Sequence, residues 1–346
     1  MFTFTFALSS FTPDVVHSRS SMLSAAARAA SRRQTSGAWC ATCRWACSAG
    51  SDSGAPRGDE QPFSSILYRV DQQVAHVTLN RPERLNAIDE RMPAEIASAA
   101  ARAAADPRVR AVLLSGAGGN FCAGYDLKVY AEAERGTVPG SQRMPWDPYV
   151  DYALMSRCTD AFMSLWRCPK PVVCKIEGAA IGGGSDIALC CDVTVMADDA
   201  RIGYPPARVW GCPTTAMWLY RVGLEQAKRL LLTGALLSGT QAAAVGLVGE
   251  SVPRADVDGA VGRILERIVT VPTNQLWFQK QVINHAVEQM GLLSTQRMAT
   301  IFDGMSRHTP EGVAFQERAH KVGFKQAVRE RDSGSDFMEK WGREST

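Results

Sequence analysis

The 346-residue chain lacks several features that would settle its class at once. No apolar run approaches the roughly 20 residues that cross a bilayer, so no membrane span is expected. The patterns G-x-G-x-x-G, G-x-x-x-x-G-K-[ST] and G-x-S-x-G are all absent. A dinucleotide-dependent oxidoreductase, a phosphate-loop NTPase and a serine hydrolase therefore have no motif to stand on. Histidine is scarce: His17, His76, His285, His308 and His320 do not cluster at ligand spacing, and H-E-x-x-H is missing, so no metal site is expected.

Charge of one sign is also scarce, with 38 Lys+Arg against 35 Asp+Glu. The small excess is local. Residues 1–58 hold six arginines, no lysine, no glutamate and only Asp14 and Asp52, whereas the rest of the chain is within one charge of neutral. Without a net basic field, the body is not expected to bind nucleic acid. The arginine-, serine- and alanine-rich tail, with a short basic amphipathic stretch at 22–33, reads as a transit peptide over residues 1–60. Mitochondrial delivery ranks ahead of plastid. A downstream start codon would instead leave the protein cytoplasmic. The final Arg-Glu-Ser-Thr is not a peroxisomal ending.

Three of the ten cysteines, Cys40, Cys43 and Cys47, fall in the tail at C-x2-C-x3-C spacing without a fourth ligand nearby. The other seven are scattered through apolar runs, the pattern of reduced, buried small hydrophobes.

From about residue 62 the periodicity becomes that of an α/β protein. Short strands are expected at 65–70, 74–79, 109–115, 171–176 and 193–196, the first two as a hairpin. Helical patterns fall at 94–105, 161–168 and 182–191. Beyond residue 224 helix dominates: 225–232, 239–245, 257–269, 274–290, 295–305 and a last one at 310–330. Residues 128–148 read as a long irregular loop. The division implied is a tail at 1–60, an α/β core at 61–255 and a helical region at 256–346.

Two glycine-rich segments could carry chemistry. One is Gly119-Asn-Phe-Cys-Ala-Gly-Tyr-Asp-Leu-Lys128, just after a buried strand; the other is Glu177-Gly-Ala-Ala-Ile-Gly-Gly-Gly-Ser-Asp-Ile187, where a strand gives way to a helix. Glycines there bare backbone N–H groups at the positive end of a helix, able to hold a developing oxyanion. Asp186 follows Gly183 by three residues and so shares its helical face. A carboxyl group there can move a proton on a substrate whose carbonyl is held by the Gly183 amide, which is coherent with enolate chemistry on a thioester. A glycine-rich strand-to-helix turn that only permits tight packing is the plainer alternative.

Four segments in order resemble the crotonase superfamily of enoyl-CoA hydratases and isomerases over residues 64–331. They are Leu79-Asn-Arg-Pro-Glu-Arg-Leu-Asn-Ala87; Phe121-Cys-Ala-Gly-Tyr-Asp-Leu127; Ile181-Gly-Gly-Gly-Ser-Asp186 followed by Cys191-Asp192; and the stretch from Leu232-Thr-Gly to Val248. The resemblance implies an α/β fold, a crotonase-type spiral of ββα units with a C-terminal helical trimerisation region, assembled as a homotrimer or homohexamer. It implies an acyl-CoA thioester substrate, with coenzyme A as part of the substrate and no separate cofactor. It places the oxyanion hole at the N–H groups of Tyr125 and Gly183, with Asp186 as acid/base. Ala87 and Ala123 fall in its binding segments, and Asp126 becomes a structural residue of its turn. Arg84 and Lys128 become candidates to meet CoA phosphates, and Phe324 and Lys325 contact CoA across a subunit boundary. The loop holding Trp146 falls where the acyl pocket is built, and its aromatics, with Trp210 and Trp218, either line that pocket or simply pack.

One departure bears on mechanism. Hydratases of this family use two glutamates. Here the first position carries Asp186, and the second falls on Pro206 or Ala207, neither of which can transfer a proton. Asp186 with a substitute acid or held water, from Tyr204 or the loop bearing Asp147 and Asp151, hydrates an enoyl-CoA. Asp186 alone shifts a double bond as an isomerase. A non-catalytic CoA-binding relative is the third reading.

Overall fold

The computed structural model describes residues 63–138 and 140–334. The transit-peptide expectation and Cys40, Cys43 and Cys47 lie outside the described residues.

Strands β1 (Ile66–Asp71) and β2 (Val74–Leu79) form the expected antiparallel hairpin. Gln72 and Gln73 at its tip both take positive φ, matching the twist of the flanking strands. Helix α1 (Met92–Ala105) buries Ile96, Ala99, Ala100 and Ala103, an apolar stripe at helical spacing. Next come β3 (Ala111–Gly116), α2 (Leu127–Tyr130), α3 (Pro148–Arg167), β4 (Val172–Ile176), β5 (Ala179–Ile181) and α4 (Gly183–Leu189). They lead into β6 (Val193–Ala197), β7 (Arg201–Gly203), α5 (Met217–Thr233), β8 (Leu236–Ser238), α6 (Gly239–Ala244), β9 (Glu250–Val252) and α7 (Val257–Val269). The remaining helices are α8 (Thr273–Gln289), α9 (Leu292–Ser306), α10 (Pro310–Val322) and α11 (Phe324–Asp332).

The larger sheet runs β1-β2-β3-β4-β6-β9 and is parallel from β2 onward; the smaller runs β5-β7-β8. Strand β4 leads into β5 and then α4, while β6 leads into β7 and then α5. The segment after β3 joins the same pattern through a bridge between Cys122 and Ala180. Each turn of chain thus passes from large sheet to small sheet to helix, and successive turns stack as a spiral. Helix α7 packs on β3, β4, β6 and β9. None of the described helices is long and apolar enough to cross a membrane.

Several boundaries differ from the periodicity. Helix α3 begins at Pro148 rather than 161, because Asp147 caps it by accepting the Tyr149 N–H at 2.9 Å and Pro148 needs no partner in the first turn. Helix α5 begins at Met217 and kinks at Gly223, and the last helix breaks into two at Gly323 (φ +83°). Strands β5, β7, β8 and β9 have three residues each, too few to show alternation.

Candidate active site

The two glycine segments meet. Gly182 holds φ +55° and ψ −123°, a conformation a side chain resists, and donates its N–H to the Gly203 carbonyl at 2.9 Å. An added Cβ at Gly184 would stand 2.2 Å from the Cys122 carbonyl oxygen. The start of α4 therefore lies directly on the turn that follows β3.

On that turn, Ile88 donates to the Gly124 carbonyl and accepts from Asp126, flanking its bridge to Tyr125. The Tyr125 N–H consequently faces away from Ile88. Gly183 is the first residue of α4, so its N–H has no helical partner. Neither amide has a backbone acceptor among the described residues. A Cβ on Gly124 would be 3.5 Å from the Gly183 nitrogen, and one on Gly183 would be 2.9 Å from the Tyr125 ring, so the two donors are close neighbours. Arg81 fastens this turn by donating to Asp126 (3.0 Å) and to the Ala87 carbonyl, and by pairing with Asp89. Asp126 is thereby structural. Arg81 was not singled out in the sequence, where it reads as one more basic residue beside Arg84.

Both residues border a cavity of about 700 Å³ whose wall includes Ala123, Tyr125, Gly183, Tyr204, Pro206, Trp210 and Phe324 but not Asp186. Helices α3 and α9 supply Met155, Cys158, Asp303 and, just past the end of α9, Arg307. Phe324 belongs to this chain's own wall, and its N–H donates to Glu132 at 2.9 Å. Ala87 is buried in the turn, whereas Arg84, Lys128 and Lys325 are exposed and off the wall. Trp218 is enclosed in the core. Trp146 is also off the wall: its indole donates to Asp151 and its ring stacks on His308 at 4.8 Å.

Asp186 keeps 2% of its surface and lies one turn along α4. Thr215 Oγ1 donates to its carboxyl at 2.6 Å. Burial pushes the carboxyl up to about 8; the charge of Asp303 adds to this and the Thr215 bond opposes it. At neutral pH Asp186 holds its proton. Burial likewise raises the Tyr125 and Tyr204 hydroxyls, which stay protonated, and Tyr204 donates to the Cys212 carbonyl at 2.9 Å.

A second polar group shows itself in the sequence only through Asp151, not through its partners on α9. Arg307 bonds to Asp303 and, at 3.1 Å, to Asp151; all three are buried, and Cys212 N–H donates to Asp303 at 3.0 Å. The trace that Asp303 and Arg307 leave in the sequence is an Asp and an Arg four apart, a spacing equally common on exposed helix faces.

The sequence model of the enoyl-CoA hydratase/isomerase family matches residues 69–326. The chain belongs to that family. A solved enoyl-CoA hydratase from Mycobacterium smegmatis is 45% identical and superposes with a TM-score of 0.74, over 78% of this chain and 94% of its own. The 1,2-epoxyphenylacetyl-CoA isomerase of Escherichia coli is 32% identical, over 67% of this chain and 85% of its own. A Dictyostelium discoideum protein named probable enoyl-CoA hydratase, mitochondrial, is 30% identical over 65% of this chain and 78% of its own.

Proposed function

We propose that this enzyme of the enoyl-CoA hydratase/isomerase type adds water to an enoyl-CoA. The observation that carries the reading is the pair of unpartnered amides, at Tyr125 and Gly183 of one cavity wall, with the carboxyl of Asp186 buried one turn along α4 just behind that wall, where burial favours its protonated form. The thioester oxygen accepts from both amides as negative charge develops on it. Asp186 gives its proton to the α-carbon. The exposed Arg84 and Lys128 meet CoA phosphates. Isomerisation is the second reading, and the proline at position 206, which holds no proton, favours it. A panel of acyl-CoA thioesters read by mass spectrometry separates the two: gain of one water is expected, and a mass-neutral shift of the double bond would replace the first reading by the second.

The same reading includes a homotrimer or a pair of trimers. Trp277, Phe278, Val282 and Ile283 on α8 and Met298, Ile301 and Phe302 on α9 are exposed in the single chain, an apolar surface that association would cover. The arginine-rich tail and the mitochondrial relative support mitochondrial delivery.

A further inference from the structure

Hydration needs a second polar group, one that holds the water while Asp186 supplies the proton to carbon, and Pro206 cannot be that group. The wall near Pro206 is served from another element. An added Cβ at Gly211 would stand 2.9 Å from the Pro206 Cβ, 3.5 Å from the Tyr204 hydroxyl and 3.6 Å from Asp303 Oδ1. With one point shared, Asp303 Oδ1 lies within about 6.5 Å of the Pro206 Cβ. The absence of a side chain at Gly211 lets its loop pack against Pro206, and so brings the carboxylate from α9 near the spot where the short turn after β7 offers only a pyrrolidine ring.

Asp303 is built to stay there. It keeps 3% of its surface, lines the cavity, and is fixed on one side by the Cys212 N–H and on the other by Arg307. Those bonds occupy two of its four or so lone-pair directions, which leaves it able to accept from a water molecule. Arg307 is in turn bonded to Asp151 and to the Gly140 carbonyl, so it cannot swing away. The charge of Asp303 acts on Tyr125 and Tyr204, which line the cavity with it, and on Asp186 just behind them.

We propose that Asp303 is the second catalytic carboxylate of this site, accepting a hydrogen bond and then a proton from the water that adds to the acyl double bond. The inference rests on the hydratase reading. The water oxygen bonds to the β-carbon. One of its O–H bonds breaks and that proton passes to Asp303. The electron pair of the double bond moves through the α-carbon onto the thioester oxygen as an enolate, which collapses to take the proton of Asp186 at the α-carbon. Solvent then carries the proton from Asp303 back to Asp186 as product leaves.

Asp303→Asn in the full chain tests it, because Asn keeps the shape and Asp151 still balances Arg307. Two rates are read side by side: water incorporation into the enoyl-CoA that wild type hydrates fastest, and deuterium exchange at the α-carbon of its saturated counterpart above pH 8. The second needs the oxyanion hole and an ionised Asp186 but no added water. The expected result is a fall of about 10²-fold or more in water incorporation, with exchange within a few-fold of wild type, and the same split in Asp303→Ala. Unchanged hydration, or an equal fall in both rates, overturns the role of Asp303. A wild type that exchanges but never incorporates water overturns both this role and the hydratase reading.

Discussion

The cavity has two unlike walls. The wall carrying Tyr125 and Gly183 is backbone, set by glycines at the ends of strands and locked to the sheet by hydrogen bonds of the main chain. A second wall, from α3 and α9, is side chain: Asp303 and Arg307, held by charge to each other and to the Asp151 buried behind them. Main-chain donors need no reorganisation as charge develops, so the first wall suits a task common to many thioesters. Side chains can be exchanged singly, so the second wall is where water handling and choice of acyl group can diverge between relatives. A fixed backbone paired with a replaceable set of side chains is one way a single fold supports both hydration and isomerisation.

If that contrast is right, the backbone wall should be the less forgiving. The largest effect is expected from Gly184→Ala, whose new methyl meets a backbone carbonyl at 2.2 Å. It should destabilise the chain by about 3 kcal/mol or more, read by denaturant unfolding. A variant as stable as wild type would break the comparison. Asp186→Asn, buried on α4 behind that wall rather than lining it, should lower turnover about 10²- to 10⁴-fold.

The same substitution should act on stability with the opposite sign. Burial holds the Asp186 carboxyl at about 8 in the folded chain, against the ordinary carboxylate range of about 4 in the unfolded one. Between those values the folded state keeps a proton that the unfolded state has released, so wild-type stability falls as pH rises through that window. Asn carries no such linkage. Its melting temperature should therefore gain on wild type from pH 4 to pH 8, and a constant gap would refute the buried proton.

The smallest effect sharpens the contrast by touching a side-chain support alone. Thr215→Val removes the bond that favours ionised Asp186. The alkaline limb of hydration should move upward by about one pH unit or less, since one hydrogen bond contributes about 1 kcal/mol. Thr215→Ser should restore it.

The same division explains what could be read in advance. The amides at Tyr125 and Gly183 were legible because glycine leaves a sequence signature wherever the backbone must turn or approach closely. Strands β3, β4 and β6 were legible as apolar runs. Asp303 was not, because its meaning depends on the loop bearing Gly211 and Cys212, some 90 residues earlier, and on an Arg307 that sequence alone would leave in solvent. Phe324, expected from the resemblance to meet CoA at a subunit boundary, lines the cavity of its own chain just after the break at Gly323, a break the continuous helical pattern of 310–330 does not signal.

Helix α9 has a consequence that reaches beyond the cavity. Gln296, Thr300, Asp303 and Arg307, three and four residues apart, are all buried, while Leu293, Met298, Ile301, Phe302 and Met305 on its other side are open. One rod therefore carries a proton-handling group on one flank and a bare greasy flank on the other. A displacement near 1 Å at a reacting group can cost 10²-fold in rate. Whatever presses on the outer flank of α9 thus sets the alignment of the inner one, and turnover per chain becomes a gauge of the company the chain keeps.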